Sequence, residues 1–344
     1  MKVCHIIFSL ETGGTEAMLV DILNEQVKGC TVSLIIINNR INEKIVQCLD
    51  SRVNLIKLGR KPQSRNVFFL VVINILLYSI KPDIIHFHQH NGINLLLPVF
   101  RKKAVLTVHG IRVESDSFSK YKKLFSVSDS VKQDIFNRYQ LSSQRIYNGI
   151  DTSRINAKGT TDNSHRFRIV QVSRLDHDKK GQHILLESIY KLIYKYNILD
   201  VYLDLIGEGP SREHLEKLAE KLKIKEHIQF LGEKDRQYIY SNLQRYDLLV
   251  QPSLNEGFGL TVAEGMAAKI PVLVSDIEGP MEIIKNGEYG YYFRSGDSDN
   301  CADKIMQIMT NDNFSQINKA YDYCVQNFKI SFTVSNYQKE YTNV

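Results

Sequence analysis

Residues 247–267 constrain the fold more than any other stretch, because a strand, a glycine turn and a helix follow one another there. The apolar run 247–250 predicts a buried strand, and Pro252 ends it because proline cannot donate to a strand ladder. Gly257 and Gly259 form a tight turn, and a helical pattern follows. A helix N-terminus of this kind predicts an anion site. The amides expected to face the anion are those of Phe258, Gly259 and Leu260.

Two carboxylates bracket this predicted anion site. Glu256 precedes the turn, and Glu264 lies about a turn and a half into the helix. Because a carboxylate repels phosphate but accepts hydrogen bonds from a diol, the pair suits sugar hydroxyl groups on either side of a diphosphate. That combination describes a nucleotide-sugar. An ordinary helix with acidic residues in its first turns shows the same pattern, so both interpretations stay open on this stretch alone.

Buried strands alternate with helical patterns along the chain, which predicts doubly wound parallel sheets with ligands at the carboxyl ends of the strands. The 344 residues exceed one ordinary core, and residues 157–164 resemble a linker in composition, so we predict domains over residues 1–160 and 161–328. Strands are predicted at 3–8, 32–37, 53–57, 83–87, 104–108, 124–128, 168–173, 201–206, 228–231, 247–251 and 272–275. Helices are predicted at 67–80, 129–139, 182–196, 211–223, 236–246, 302–309, 314–327 and 332–341.

Composition indicates a soluble globular protein, with 43% hydrophobic and 24% charged residues. The 5 cysteines are scattered and lack a C-x-x-C pair, which favours a reducing compartment and argues against disulfides or a zinc site. Met1 leads straight into a predicted strand, so no signal peptide is expected. The predicted location is therefore the cytoplasm.

Positive charge is concentrated in the first half of the chain. Residues 1–158 contain 22 Lys and Arg against 12 Asp and Glu, a net charge of +10, whereas the remainder contains 22 against 26, a net charge of −4. We expect the first half to face an anionic membrane lipid or a phosphate-bearing acceptor, since no nucleic-acid motif is present; a solvated basic face is the alternative. The basic clusters are Arg60, Lys61 and Arg65; Arg101, Lys102 and Lys103; and Lys120, Lys122 and Lys123.

The most apolar segment, residues 67–80, is too short to span a bilayer, which needs about 20 residues. A helix buried against a sheet and a helix that dips into the membrane interface both remain open. Together with the basic clusters, the second interpretation predicts peripheral contact with the inner face of the cell membrane.

Further short motifs follow one another along the chain, at residues 13–16, 82–88, 107–110, 127–128, 148–151, 172–175, 179–181, 206–210, 230–232 and 271–276. Each is weak by itself. Taken in order, with the Glu-x7-Glu spacing of Glu256 and Glu264 and the Arg-x5-Lys spacing of Arg174 and Lys180, they resemble the family 4 glycosyltransferases of group 1. The resemblance implies an α/β fold of the GT-B type, with two Rossmann-like, doubly wound parallel-sheet domains facing a central cleft. It also implies that the last helix, 329–344, packs back on the first domain.

The same resemblance implies roles for particular residues. Arg174 and Lys180 hold the donor diphosphate, Glu256 contacts the donor sugar near the reacting carbon, Glu264 binds the ribose, and His109 is the active-site histidine near the transferred sugar. Two preplaced cations stabilise the charge that develops on the leaving diphosphate without a metal. The other residues implied are Gly13 and Gly14 at the donor phosphates, Gly207, Gly209 and Leu231 at the base, Phe258, Gly259 and Leu260 at the donor, and His88 on the acceptor side.

Three histidines, His86, His88 and His90, alternate along a predicted strand, which would put them on one face. We expect His88 to lie on the acceptor side and His86 to be packed in the interior. A metal site formed by the histidines is the alternative. No carboxylate joins them at ligand spacing, so neither a metal nor another cofactor is expected.

The predicted function is a retaining glycosyltransferase that moves a hexose-type sugar from a nucleotide-diphosphate sugar, a UDP-sugar first of all, to a saccharide or lipid-linked saccharide in bacterial surface polysaccharide biosynthesis. The resemblance implies retention of configuration, and the motifs around His88 and His109 agree with it, since they offer no carboxylate as a general base. Two alternatives remain: a GT-B nucleotide-sugar epimerase, which turns over donor without acceptor, and a catalytically silent subunit that binds nucleotide-sugar. No nucleic-acid partner is expected.

Overall fold

A computed structural model of the 344-residue chain describes residues 1–11, 13–64, 66–159 and 166–344. The strands are β1 (Lys2–Ile7), β2 (Thr31–Asn38), β3 (Asn54–Arg60), β4 (Ile84–Phe87), β5 (Ala104–Val108), β6 (Lys123–Ser126), β7 (Gln144–Arg145), β8 (Phe167–Val172), β9 (Val201–Ile206), β10 (Ile228–Gly232), β11 (Leu248–Gln251), β12 (Val272–Ser275) and β13 (Tyr291–Phe293).

The α-helices are α1 (Gly14–Gln26), α2 (Glu43–Val46), α3 (Phe68–Ile80), α4 (Pro98–Arg101), α5 (Asp129–Tyr139), α6 (His177–Lys180), α7 (Gln182–Tyr194), α8 (Arg212–Lys221), α9 (Arg236–Asn242), α10 (Leu260–Ala267), α11 (Glu278–Ile283), α12 (Ser298–Thr310), α13 (Phe314–Asn327) and α14 (Ile330–Tyr341). Short 3₁₀ helices lie at His90–Leu95, Phe118–Lys120, Thr152–Arg154, Lys225–His227 and Leu243–Arg245.

Unit 1 comprises residues 1–149 and 330–344. Its sheet has the strand order β3-β2-β1-β4-β5-β6-β7, with neighbouring strands parallel. Strands β1 and β2 are buried along nearly their whole length, as expected for parallel strands covered on both faces. Helix α5 begins where predicted, and Ser128 caps it by accepting a hydrogen bond from the amide of Val131.

Unit 2 comprises residues 150–329. Its parallel sheet has the order β10-β9-β8-β11-β12-β13, and helices α7, α8 and α12 contribute to the apolar core around it. The prediction of two doubly wound parallel sheets is confirmed. Two short strands, β7 and β13, are absent from the sequence prediction because runs of two and three residues are too short to show a period.

The division between the units falls between residues 149 and 150, eleven residues before the predicted boundary after residue 160. Ile150 pairs with Lys329, and the amide of Lys158 donates to the carbonyl oxygen of Ala268. Residues 150–159 therefore belong to unit 2, including residues 157–159 of the predicted linker. The remainder of the predicted linker, residues 160–164, lies outside the described residues, as does Arg65 of the first basic cluster.

Helix α14 lies in unit 1, although it follows the whole of unit 2 in the sequence. Buried polar side chains attach it to the sheet: the Tyr341 hydroxyl lies 2.6 Å from His86 Nδ1, and the Tyr337 hydroxyl lies 2.9 Å from Thr107 Oγ1. Lys123 and Glu340 add an ion pair of 2.5 Å. Buried polar groups need such partners, which gives the helix one orientation on the sheet.

Helix α3 is only partly buried. Ile73, Asn74 and Leu77 face the interior, and Asn74 ties the helix to the carbonyl oxygen of Leu95 at 2.9 Å. The exposed apolar side chains at helical spacing are Phe68, Val71, Ile75 and Tyr78. Among the described residues, no helix combines the length and apolar composition that a membrane span requires.

Candidate active site

The candidate donor site lies at the carboxyl ends of four neighbouring strands in unit 2. Because β10, β9, β8 and β11 are adjacent and parallel, the segments that follow them lie at one edge of the sheet. These segments carry most of the donor residues that the sequence predicted. They are Arg174 and Lys180 after β8, Gly207 and Gly209 after β9, Leu231 at the end of β10, and Glu256 with residues 258–260 after β11.

Lys180 and Glu256 form an ion pair, with 2.5 Å between Lys180 Nζ and Glu256 Oε2. The same carboxylate oxygen accepts a hydrogen bond of 3.0 Å from Gln251 Nε2. Both charged side chains are largely buried, which strengthens their attraction relative to a surface pair. The structure therefore brings together two residues that lie 76 positions apart in the sequence.

Gln251 is a residue that the sequence did not identify. Its amide is buried, donates to Ser253 Oγ at 3.2 Å as well as to Glu256, and accepts a hydrogen bond of 2.5 Å from Thr261 Oγ1. It thus links the end of β11, the following loop and the first turn of α10. A glutamine at the end of an apolar strand gave no sequence signal, since its role depends on the fold of the loop that follows.

Replacing Gln251 with leucine is expected to lower the turnover number of this site about 10–100-fold, because the Glu256 carboxylate loses a partner that orients it. The affinity for the substrate, measured by calorimetry, should change much less. Thr261→Val is the matched control, since it removes only the hydrogen bond to Gln251 Oε1. A Gln251→Leu enzyme with the wild-type turnover number would contradict this role.

Glycines let the loops approach one another. A Cβ atom at Gly181, which has a φ of +65°, would overlap the carbonyl oxygen of Pro252. A Cβ atom at Gly209 would overlap the carbonyl oxygen of Leu175. Close packing of the backbone therefore requires glycine at both positions. This holds for Gly209 independently of any contact with a nucleotide base.

The side chain of Arg174 is exposed and makes no ion pair within the described part of the chain. Its backbone is held in place, because Gln182 Nε2 donates to the Arg174 carbonyl oxygen at 2.9 Å. The neighbouring Lys179 differs: its side chain is 68% exposed and lies 3.9 Å from Asp176. Arg174 is thus an available cation on an anchored backbone.

Helix α10 begins at Leu260, and its N-cap, Gly259, has a φ of +102° and no side chain to cap the first amides. Phe258 is buried and packs edge-on against Phe328, so its side chain serves the core. Glu264 is buried one turn further along and lies 3.4 Å from Arg236. Arg236, at the start of α9, has no fixed spacing to Glu264 that a sequence pattern could reveal.

In unit 1, Gly13 is the N-cap of α1 in an extended conformation, and Gly14 is the first residue of that helix. A Cβ atom at Gly13 would overlap the Glu16 carboxylate, so Glu16 folds back over this glycine. Burial, together with the nearby charge of Glu11, raises the pKa of Glu16. The sequence assigned no separate role to Glu16.

Four histidines meet at the carboxyl ends of β1, β4 and β5, which are neighbours in the sheet. His5 and His86 are on strands, and His88 and His109 directly follow strands; His86 stacks on His88 with 4.5 Å between ring centroids. Burial lowers the pKa of His5 and of His109 to about 4, and burial with neighbouring histidines lowers the pKa values of His86 and His88 well below 6.5.

The prediction that His86, His88 and His90 share one face is wrong for His90. The strand ends at Phe87, and His90 begins a 3₁₀ helix, where its ring packs against Phe118 instead. The third histidine beside His86 and His88 is His5 of β1. One ring nitrogen from each of His5, His86 and His88 lies within 4.8 Å of the other two. Among the described residues of unit 1, these rings are the group that could hold a metal.

Two Rossmann-like units with a lysine–glutamate pair at the strand ends of the second define a protein of the GT-B class. Solved structures agree. A glycosyltransferase from Rickettsia africae ESF-5 has a TM-score of 0.82 and 22% identity, with 99% of this chain and 98% of that chain covered. Anabaena HepE in complex with UDP-glucose has a TM-score of 0.83 and 18% identity, with both chains covered fully. At these identities the likeness shows the fold.

The sequence shows the family. The model described as glycosyl transferases group 1 matches residues 153–328, and the model described as Glycosyltransferase Family 4 matches residues 12–154. This chain therefore belongs to family 4 of the glycosyltransferases. A curated relative, phosphatidyl-myo-inositol mannosyltransferase of Mycobacterium leprae, is 26% identical over 247 residues, which is 67% of this chain and 65% of that protein. The matches cover 59% and 54% of two further curated relatives.

Proposed function

We propose that this protein transfers a hexose-type sugar from a nucleotide-diphosphate sugar to a hydroxyl group of a saccharide or lipid-linked saccharide, with retention of configuration and without a metal. The observation that carries the proposal is the Lys180–Glu256 ion pair, held at the strand ends of unit 2 in the same group of loops as Arg174 and the start of α10. This arrangement offers cations and helix amides to a diphosphate and a carboxylate to sugar hydroxyl groups.

The cations act on the leaving group. As the bond from the sugar to the diphosphate breaks, negative charge grows on the diphosphate oxygens. Lys180 is held by Glu256 before reaction, and Arg174 extends from an anchored backbone, so both stabilise that charge with little reorganisation. The N-terminus of α10 adds the positive end of a helix dipole.

Glu256 acts on the sugar. Its Oε2 atom is occupied by Lys180 and Gln251, and its Oε1 atom accepts no hydrogen bond from the described residues. Oε1 is therefore available to a donor-sugar hydroxyl group. In the retaining reaction that we propose, the leaving diphosphate takes the proton of the acceptor hydroxyl on the same face of the sugar, which requires no separate general base.

Two similar proteins support a UDP-sugar donor and an acceptor that includes a lipid. The Anabaena HepE structure contains UDP-glucose, and the Mycobacterium leprae relative is named a phosphatidyl-myo-inositol mannosyltransferase. We therefore propose a UDP-sugar donor and a saccharide or lipid-linked acceptor of bacterial surface polysaccharide assembly, with catalysis in the cytoplasm.

Calorimetry across UDP-, GDP- and ADP-sugars, followed by NMR of the first-formed product, tests the proposal. With EDTA present, transfer should persist and the product should have the anomeric configuration of the donor. Glu256→Gln should keep its affinity for UDP while losing most transfer. An inverted product contradicts retention, donor turnover without acceptor indicates an epimerase, and activity that EDTA abolishes and Mn²⁺ alone restores contradicts the metal-free reaction.

We also propose that unit 1 docks on an anionic membrane surface. The exposed apolar face of α3, formed by Phe68, Val71, Ile75 and Tyr78, is continued by the exposed side chains of Leu97 and Val99 before and within α4. Helix α4 ends at Arg101, and Lys102 and Lys103 follow. An apolar face flanked by basic residues suits the interface of a bilayer that contains anionic lipids.

Vesicle binding should require both anionic lipid and low salt, since the basic residues act through screened charge. The double variant Phe68→Ser/Ile75→Ser should weaken binding at least about tenfold, because burying either side chain contributes about 1.5–3 kcal/mol. Phe314→Ser is the matched control, as Phe314 is 73% exposed and belongs to unit 2. Equal binding to neutral vesicles, or an equal loss in the control, would contradict docking through this face.

A further inference from the structure

Three side chains of unit 1 form a string of hydrogen bonds that ends at His109. Gln26 Oε1 lies 2.8 Å from His5 Nε2, His5 Nδ1 lies 3.1 Å from His88 Nε2, and His88 Nδ1 lies 3.2 Å from His109 Nε2. Gln26, His5 and His88 are buried, whereas His109 keeps partial contact with solvent. A ligand can therefore reach the string at its His109 end.

The string has a direction, because the Gln26 carbonyl oxygen can only accept. His5 must donate to it from Nε2, and a neutral imidazole carries a single N–H group, so His5 Nδ1 accepts from His88 Nε2. The same reasoning makes His88 Nδ1 the acceptor of the His109 Nε2–H group. His109 is left with a lone pair on Nδ1.

The neutral state of the rings supports this fixed direction. Burial lowers the pKa of both His5 and His109 to about 4, and the pKa of His88 lies well below 6.5 for the same reason and because three histidines surround it. A second proton on His5 or His88 would bring two N–H groups face to face. The string therefore orients His109 and does not conduct a proton.

A metal centre made of His5, His86 and His88 competes with this arrangement, since one nitrogen of each ring lies within 4.8 Å of the others. Every nitrogen of these three rings already has a hydrogen-bond partner. The partners of His86 are the Tyr341 hydroxyl at 2.6 Å and Thr107 Oγ1 at 2.8 Å. A metal would have to break the contact between His5 and His88, so the hydrogen-bonded string accounts for the geometry more directly.

We propose that Gln26, His5 and His88 are positioning residues that hold His109 as its Nε2–H tautomer, so that Nδ1 accepts a hydrogen bond from a hydroxyl group of the bound sugar. The identity of that ligand rests on the proposed function, whereas the tautomer is a property of the free protein. The ligand class follows from the chemistry, because a neutral nitrogen lone pair binds a hydroxyl hydrogen and offers nothing to a phosphate.

Long-range ¹H–¹⁵N NMR of the substrate-free protein with ¹⁵N-labelled histidine tests the tautomer, with His109→Gln for assignment. The wild-type spectrum should show His109 protonated at Nε2. Gln26→Leu removes the terminal acceptor, so His109 should become a mixture of tautomers and transfer should fall about 10–100-fold. Gln26→Glu keeps an atom that only accepts, and should keep the wild-type tautomer. His86→Asn is the matched control, since His86 stacks on His5 and His88 but lies outside the string.

Three results would overturn the proposal: a wild-type His109 protonated at Nδ1, an unchanged tautomer in Gln26→Leu, or stoichiometric binding of Co²⁺ that shifts the His5, His86 and His88 signals together. The wild-type spectrum decides the question even where Gln26→Leu fails to fold. If His109 has the predicted tautomer but the protein transfers no sugar, the proposed function is contradicted. If the protein transfers sugar but His109 has another tautomer, only this inference is contradicted.

Discussion

Alanine in place of either Arg174 or Lys180 is expected to lower the rate of sugar transfer by about 10²–10³-fold, which corresponds to about 2.7–4 kcal/mol of lost transition-state stabilisation. Both side chains are cations that we place at the leaving diphosphate, where charge grows as the bond to the sugar breaks. The measurement is kcat and KM for each variant with a saturating acceptor. Lys179→Ala is the matched control, because Lys179 is adjacent in sequence but 68% exposed and paired loosely with Asp176.

The two variants should differ in one respect. Arg174 has no ion-pair partner among the described residues, so its replacement removes a cation and little else. Lys180 also holds Glu256 at 2.5 Å, so Lys180→Ala disturbs a carboxylate as well. Lys180→Ala and Glu256→Gln should therefore be non-additive when combined, whereas Arg174→Ala and Glu256→Gln should be closer to additive. Near-normal turnover by both single alanine variants would remove these cations from the site.

Acidification below pH 6.5 is expected to destabilise unit 1 through its histidine cluster. The pKa of each of the four rings is lowered on folding, so below 6.5 the unfolded chain binds protons that the folded chain does not. The free energy of unfolding therefore falls as the pH falls, by about 1.4 kcal/mol per pH unit for each ring that stays neutral. For His5 and His109 the loss continues down to about pH 4.

Hydrogen exchange followed by mass spectrometry at pH 7.5, 6.5 and 5.5, corrected for intrinsic exchange rates, measures this effect unit by unit. Protection of β1, β4 and β5 should decrease most. Unit 2 is the internal control: burial lowers the pKa of His183, but the neighbouring stacked rings of His177 and His214 are partly or fully exposed. His5 and His109 should contribute alike, since the pKa of each is lowered to about 4. Constant protection of unit 1 between pH 7.5 and 5.5 would contradict buried neutral histidines.

Much of the fold was predictable because it follows from short-range patterns. Parallel strands buried on both faces are continuous apolar runs, so β5, β9 and β12 begin and end where the sequence indicated. A serine cap and a helical period located α5 to the residue. The shifted boundary at 149/150 shows the limit of such patterns, since a polar composition does not reveal that residues 150–159 bond to unit 2.

The candidate site was predictable as a set of positions but not as a set of partners. Motifs located Lys180, Glu256, Glu264 and His109, and the fold and family they implied are confirmed, while their individual roles stay predictions. Gln251 and Arg236 escaped notice because no sequence pattern fixes the spacing of Gln251 to Glu256 or of Arg236 to Glu264. Glutamine and arginine are also common on surfaces, so their residue types carried no signal.

By itself, the sequence determined the alternation of strands and helices, the parallel class of both sheets and the order of the motifs, because burial and backbone hydrogen bonding act over a few residues. Tertiary structure alone decided which side chains meet. The strand order β1-β4-β5 brings His5 beside His88 across 83 positions, and the return of α14 gives His86 a hydroxyl partner 255 positions away. Such contacts depend on strand order and helix docking, which no local periodicity encodes.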